Sequence, residues 1–263
     1  MLDQVLIENL MDSAWPARER EDADGWVLRA SEGVTQRANS VWPRDISADV
    51  PGTELAGCVR EAAGWYRRRR LPLIFQVFDD ARSAGLNGVL DGLGFTRQSE
   101  TLIMVRGTEH LPAAGRGVEG GGGVELSGEP TEDWLRLWWS VDGRGGEHEL
   151  DIARGILSGC PAVYALVRDD DGRPAAVGRL AVVDGWGGLY GMATAETHRR
   201  RGLATKVLAA LLNEGSTLGL KGFWLLVTAA NHNAQSLYRQ AGFEEYGSYL
   251  YRQAPLQRAL SGC

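Results

Sequence analysis

One stretch constrains the fold more than any other: Met192-Ala193-Thr194-Ala195-Glu196-Thr197-His198-Arg199-Arg200-Arg201-Gly202-Leu203-Ala204-Thr205. It reads as the end of a strand, a short basic turn and the start of a helix, which continues amphipathically through 206–212. A helix start leaves main-chain N–H groups without intrahelical partners and carries partial positive charge. Gly202 has no Cβ, so a bulky anion can approach the backbone closely there. With three arginines ahead of that glycine, the segment predicts a cradle for a diphosphate.

The chain's 263 residues suffice for one large domain or two modest ones. A net charge of −6 argues against a general nucleic-acid binder, which is usually basic. Cys58, Cys160 and Cys263 lie far apart, without C-x-x-C spacing. They suggest neither a disulfide framework nor a zinc site, and they fit a reducing, cytoplasmic setting. Acidic residues interrupt the apolar ones at Met1–Glu8, which is therefore no signal peptide. No run approaches the ~20 apolar residues of a membrane span.

Gly107–Gly123 has almost no bulky apolar residues and ends in four glycines. It reads as a linker. A phosphate-cradling loop is the other reading, but Val124-Glu125-Leu126, which follows, looks like a strand and not a helix start. The second half then predicts helices near Thr131–Val141 and over Glu147–Leu157, and strands at Ala162–Arg168, Ala175–Val183 and near Gly188–Thr194. The helix from Gly202 ends near Leu218-Gly219. A strand at Gly222–Thr228, a helix at Asn233–Ala241 and a strand at Glu245–Tyr251 complete a mixed α/β sheet, antiparallel early and parallel later.

The first half echoes this order. A strand at Leu71–Val77, a helix reaching Gly94-Phe95 and a strand at Thr101–Val105 match Phe223–Val227, Gly242-Phe243 and Tyr249–Tyr251 at nearly the same spacing. Upstream, Arg37–Pro43 occupies the place of the strand before the basic turn, and a helix near Thr53–Arg68 follows. The expectation is two tandem lobes, each a twisted mixed sheet flanked by helices, with two unrelated α/β pieces as the alternative. The expected division is 1–106, a linker at 107–123, and 124–263. The first copy has no basic turn before its helix. Aligned on the Gly-Phe pair, Leu90 stands where Tyr238 stands in the second copy.

Three features in order carry a family likeness. They are Arg199-Arg200-Arg201-Gly202-Leu203-Ala204, then Asn231-His232-Asn233-Ala234-Gln235-Ser236-Leu237-Tyr238, then Gly242-Phe243. Together they resemble the GCN5-related N-acetyltransferase (GNAT) superfamily: its acyl-CoA pyrophosphate loop, [RQ]-x-x-G-x-[GA], its N-x-x-A-x-x-L-Y helix start, and the Gly-Phe that closes that helix. The likeness covers roughly residues 124–252. The tandem arrangement, with Asp24–Arg29 and Arg37–Ser40, is similar to bacterial two-lobed members whose first lobe is degenerate.

The resemblance implies an acetyl-CoA-dependent N-acetyltransferase that acts on a primary amine by direct attack on the thioester. Acetyl-CoA is then a co-substrate and no metal is needed. The main-chain N–H groups of Arg201 through Thr205 would bind the CoA pyrophosphate, with Arg199, Arg200 and Arg201 adding charge. The pantetheine would lie beside Met192, Ala193 and Thr194 in a gap where their strand splays from Phe223–Val227, hydrogen-bonding like an extra strand. A main-chain N–H near Met192 would polarise the thioester carbonyl. Tyr238 fits a general acid for the departing thiolate or a core tyrosine. Asn231 fits a helix cap, a contact to the CoA arm, or both.

The base is not identified from sequence. Glu196 stands by the cradle, and Glu147-His148-Glu149 opens a helix in the expected acceptor region, where acidic residues also suit the helix dipole. His198 and His232 read as surface neighbours of the cradle. Trp134 and Trp138 share a helix face, with Trp139 displaced from it; core packing and an acceptor wall both fit. Arg67–Arg70 ends a helix, where positive charge suits the dipole. The expected partners are a small-molecule or peptide amine, with no nucleic acid and no membrane; a homodimer is also compatible. The rival functions are an acyl-CoA-binding sensor without turnover and an acyltransferase using a longer acyl group.

Overall fold

A computed structural model describes residues 2–109 and 123–255. Most of the predicted linker, residues 110–122, lies outside the described residues, as does Cys263. Cys58 and Cys160 are free thiols. In chain order the elements are α1 (Gln4–Ala14), β1 (Glu19–Ala23), β2 (Trp26–Ala30), α2 (Gly52–Arg68), β3 (Ile74–Phe78), α3 (Ala84–Gly92), β4 (Thr96–Arg106), β5 (Val124–Ser127), α4 (Glu132–Asp142), α5 (Glu147–Leu157), β6 (Ala162–Arg168), β7 (Pro174–Val183), β8 (Trp186–Thr194), α6 (Leu203–Thr217), β9 (Phe223–Thr228), α7 (His232–Gln240) and β10 (Glu244–Gln253). From Val124 onward every predicted element is present, its ends displaced by at most one or two residues, as fraying ends are. No described helix is long and apolar enough to cross a membrane.

The chain forms two compact units. The first comprises Met1–Pro16, Ile103–Val227 and Asn231–Tyr246; the second comprises Ala17–Leu102, Thr228–Ala230 and Gly247–Cys263, in each case for the described residues within those bounds. This differs from the single cut expected near residues 107–123. The reason is visible in α1. Its apolar face, Ile7, Leu10, Met11 and Ala14, is buried, and the helix lies on β7 and β8. Arg179 of β7, fully buried, donates to the Ala14 carbonyl at 3.0 Å and to the Cys160 Sγ at 3.1 Å. A buried guanidinium needs such acceptors, so the N-terminal helix is bound into the first unit.

In the first unit β5, β6, β7 and β8 pair antiparallel in sequence order, and β9 joins β8 parallel. Strand alternation sends neighbouring residues of β7 to opposite faces. Gly178 meets Val207 and Leu211 of α6. Arg179, next along, lies among the rings of Trp15, Tyr164 and Tyr190. On that second face Trp134 of α4 packs edge-on against Tyr164 and donates its indole N–H to the Gly178 carbonyl at 3.1 Å.

In the second unit β1 and β2 form a hairpin turned at Asp24 and Gly25, both with positive φ, the conformation a tight two-residue hairpin requires. β3 pairs antiparallel with Tyr249–Gln253. Leu55, Val59, Trp65 and Tyr66 of α2, Phe75 of β3, and Leu86 and Leu90 of α3 share one apolar core. The strand expected at Arg37–Pro43 is instead a 3-10 turn at Arg37–Asn39, followed by single bridges at Val41 and Trp42. Asn39 explains the difference. Its side chain bonds the main chain of Ser31, Gly33, Val34 and Thr35, which curls the segment locally.

Candidate active site

β8 carries the decisive irregularity. Its register with β7 shifts so that Gly191 and Met192 oppose Gly178 alone, a β-bulge, with Gly191 at φ +58°. Bulges bend and twist a strand, and here the parallel ladder to β9 stops. Gly187, Gly188 and Leu189 pair with Phe223, Trp224 and Leu225. Beyond them the two strands share no register pair among the described residues. The sequence predicted this splay, but not the glycine bulge that begins it. A Cβ on Gly191 would lie 3.1 Å from the Trp134 ring, so the bulge sits directly against α4.

The basic turn follows. His198 Nε2 is 3.2 Å from Asp169 Oδ2, both side chains being less than a fifth exposed. Asp169 also accepts the main-chain N–H groups of Asp171 at 3.0 Å and Arg173 at 2.8 Å. The Arg173 N–H is the main influence holding its carboxyl below the ordinary range. The turn is thereby tied to the β6–β7 hairpin. Arg200 and Gly202 both take positive φ, at +63° and +76°. The first intrahelical bond of α6 runs from the Lys206 N–H to the Gly202 carbonyl at 3.0 Å. The N–H groups of Leu203, Ala204 and Thr205 precede it, and no side chain among the described residues caps the helix. Gly202 is exposed, and a Cβ there would meet nothing within 4 Å. The main chain is therefore open to an approaching anion.

α7 supplies the third wall. Asn231 Oδ1 accepts the Ala234 N–H at 3.1 Å, which establishes its capping role. Tyr238 is 8% exposed. Burial pushes its phenol up to about 12, and the nearby Asp142 carboxylate adds to the shift. Gly242 at φ +84° ends the helix, the Phe243 N–H reaching back to the Tyr238 carbonyl at 3.0 Å.

These three segments enclose a cavity of about 400 Å³, within the ordinary range for a small-molecule site. Met192 and Thr194 line it from β8; Arg199, Arg200 and Gly202 line it from the turn. Leu203, Ala204 and Thr205 follow at the start of α6, with Asn231 and Tyr238 across from them. His198 lines it as well. Ala193 and Arg201 are not among the lining residues. Ala193 is buried on the other face of β8, as alternation demands, and Arg201 is exposed between the two positive-φ residues. A larger hollow of about 700 Å³ lies around Arg106 and Trp186. It runs to Glu109, next to residues outside the described chain, and brings together none of the predicted groups.

The base candidates separate clearly. Glu147 pairs with Arg136 at 2.7 Å, and the guanidinium holds its carboxyl low. Glu149 accepts the Gly146 N–H at 2.8 Å, which lowers it too. Both are structural. Glu196 and His232 are exposed. Trp134 and Trp138 are 1% and 4% exposed, so they are core residues and offer no face to an acceptor. Trp139 is half-buried beneath Gly143. Arg69 lies 3.5 Å from the Trp65 ring centroid and pairs with Glu19 at 2.9 Å, a structural use of the arginine run. Sequence reading missed Asp142, the last residue of α4. Its carboxyl is pushed above the usual range by the protein around it. No group of three or more His, Cys, Asp or Glu side chains among the described residues is placed to hold a metal ion.

Comparison with known proteins agrees with this geometry. The family model described as "Probable histone acetyltransferase Rv0428c C-terminal" matches residues 6–252. The chain belongs to that family. It is a GNAT-family N-acetyltransferase. Uncharacterized N-acetyltransferase YobR of Bacillus subtilis is 28% identical over 254 residues, covering 94% of this chain and 96% of that protein. Probable histone acetyltransferase Rv0428c of Mycobacterium tuberculosis is 30% identical over 239 residues, covering 88% and 68%. A solved GCN5-related N-acetyltransferase from Kribbella flavida has the same fold, with a TM-score of 0.73 at 19% identity over 97% of this chain and 96% of that one.

Proposed function

We propose that this GNAT enzyme takes its acetyl group from acetyl-CoA and transfers it to a primary amine in a direct attack. The observation that carries this reading is the open notch between β8 and β9, bordered by the uncapped start of α6. Oriented N–H groups and the helix dipole favour an anion of diphosphate type there. Arg199 and Arg200, lining the same cavity, add charge. The free edge of β8 beyond Leu189 offers main-chain groups to an extended amide-bearing arm. Holding the thioester there beside the amine converts an encounter into a positioned reaction, which supplies several kcal/mol of the barrier.

Tyr238 is the group for the leaving sulfur. A phenol near 12 stays protonated at neutral pH. An ordinary thiol titrates near ~8.5, below the phenol, so complete proton transfer from phenol to a free thiolate is uphill. Tyr238 therefore acts as a hydrogen-bond donor that stabilises developing negative charge, with transfer completed as the nitrogen gives up its own proton. The protein's acceptor is expected to be a small molecule or a peptide.

The test is release of CoA thiol from acetyl-CoA across a panel of primary amines, with calorimetric binding of acetyl-CoA alongside. Turnover on an amine is the expected result. Binding without turnover on any amine would favour a sensor, and tighter binding and faster turnover with a longer acyl-CoA would favour a different acyl donor.

A further inference from the structure

We infer that His198 and Asp169 are a positioning pair for the diphosphate loop, so that the turn between β6 and β7 governs affinity for the acyl donor. This assignment rests on the acetyl-transfer reading above and gives work to two residues that reading leaves without a role.

The main chain of the loop is held only at its ends. The Ala195 N–H bonds the Ala175 carbonyl at 2.9 Å, at the start of β7. A 3-10 turn at Glu196–His198 follows, in which the His198 N–H bonds the Ala195 carbonyl at 2.8 Å. The next hold is α6 itself, which begins with the Lys206 N–H on the Gly202 carbonyl. Between these, the main-chain N–H groups of residues 200–205 have no partner among the described residues. Inside that open stretch Arg200 takes φ +63°, a left-handed conformation that a residue with a Cβ adopts at a cost and keeps only where its surroundings fix it.

His198 supplies the side-chain hold, two residues before Arg200. Its Nε2 lies 3.2 Å from Asp169 Oδ2. Asp169 divides its oxygens. Oδ1 accepts the N–H groups of Asp171 and Arg173, which leaves Oδ2 to face the ring. The Asp169 N–H also bonds the Arg173 carbonyl at 2.8 Å, so the carboxylate stands on a closed turn. A carboxylate only accepts, so Nε2 is the donor. Thr197 Oγ1 lies 2.9 Å from Nδ1, and a hydroxyl serves that nitrogen as donor or acceptor. Both ring nitrogens are thus engaged. His198 lines the cavity beside Arg199, Arg200 and Gly202, yet it has no nitrogen left for a ligand. Its action is on the loop. The two side chains are 17% and 14% exposed, so their contact is screened less than one between surface charges.

A ring released from Asp169 lets the open stretch sample other turns, and an arriving diphosphate must then order it. That lowers affinity by the fraction of chains already in the binding conformation. The penalty falls on binding and not on the transfer step. It also falls only on a donor that carries a diphosphate. A thioester with the pantetheine arm alone would lie along β8 and leave the loop unused.

The test compares His198→Phe, His198→Gln and Asp169→Asn with the unmodified full chain, using two donors. One is acetyl-CoA; the other is S-acetyl-pantetheine, which has the thioester arm and no diphosphate. His198→Phe keeps a planar ring and removes both nitrogens. Expected is a rise of about tenfold in the calorimetric Kd and in the KM for acetyl-CoA, with kcat at saturation within about twofold and the KM for S-acetyl-pantetheine within about twofold. His198→Gln, whose amide N–H can reach Asp169, recovers part of the affinity. Asp169→Asn keeps Oδ1 for the turn and shifts the Kd in the same direction, and the double variant with His198→Phe binds no worse than His198→Phe alone. An unchanged Kd in His198→Phe, equal rises for both donors, or additive losses in the double variant overturns the pair. If His198→Phe does not fold, Asp169→Asn decides by the same comparison of donors. An unmodified chain that neither binds acetyl-CoA nor releases thiol on any amine overturns the acetyl-transfer reading itself; normal binding and turnover with unaffected variants overturns this inference alone.

Discussion

Helices α3 and α7 end in the same way and do different work. Gly94 and Gly242 both take positive φ, and the following phenylalanines reach back with 3.0 Å bonds, Phe95 N–H to the Leu90 carbonyl and Phe243 N–H to the Tyr238 carbonyl. Leu90 and Tyr238 are therefore equivalent by cap geometry and not only by alignment. Five residues join α2 to β3 (69–73) and five join α6 to β9 (218–222). Both starting glycines are exposed, but α2 starts after Pro51, and a Cβ on Gly52 would touch Val89, whereas α6 starts after three arginines, and a Cβ on Gly202 would meet nothing within 4 Å. In the second unit Leu90 is fully buried in the apolar core; in the first, Tyr238 reaches a cavity. A repeated frame has kept its turns and caps while the polar chemistry sits in one copy.

The largest way to break this contrast is at the two helix starts. Gly202→Trp forces a bulky residue into positive φ and covers the open amides. Losing two charge-assisted bonds, at about 2 kcal/mol each, raises the Kd for acetyl-CoA by about 10³-fold. Gly52→Ala in the second unit leaves it within twofold. Calorimetric titration checks both.

Next come the paired helix positions. Tyr238→Phe lowers kcat by about 10²-fold with little change in acetyl-CoA affinity or stability. Leu90→Ala does the opposite, costing about 2–5 kcal/mol of stability by opening a core cavity. Steady-state kinetics and urea unfolding of the two variants separate the roles; a stability loss in both, with kcat unchanged in both, would erase the distinction.

Smaller effects sharpen it. Asn231→Ala removes a cap worth about 1 kcal/mol and raises the KM for acetyl-CoA a few-fold. Asp169→Asn cuts the tie to His198. Because the Asp169 carboxyl is lowered in the fold, its contribution is present above the unfolded value near ~3.9 and is lost as pH falls through the folded value. The urea midpoint of Asp169→Asn should thus fall below that of the unmodified chain at pH 7 and converge with it in strong acid.

The parts of this molecule that were legible in sequence are those where local chemistry decides. The Asn231 cap, the Gly242 stop and the glycine before α6 each declare themselves through one residue type. α1 carries the same kind of local signal, with Asp3 as its cap and Ile7, Leu10, Met11 and Ala14 on one buried face. What was not legible depends on distant partners. Asn39 turns a predicted strand into a loop by bonding four main-chain neighbours. Arg179 joins the N-terminal helix to the first unit across 165 positions.

The central claim is that the amides opening α6 receive the diphosphate of acetyl-CoA while the matching start of α2 does not. Amide hydrogen exchange, followed with and without acetyl-CoA, tests it at the atoms concerned. Protection gained at residues 201–205 and absent at 52–55 is the predicted result; no protection at 201–205, or the same protection at both, would contradict it.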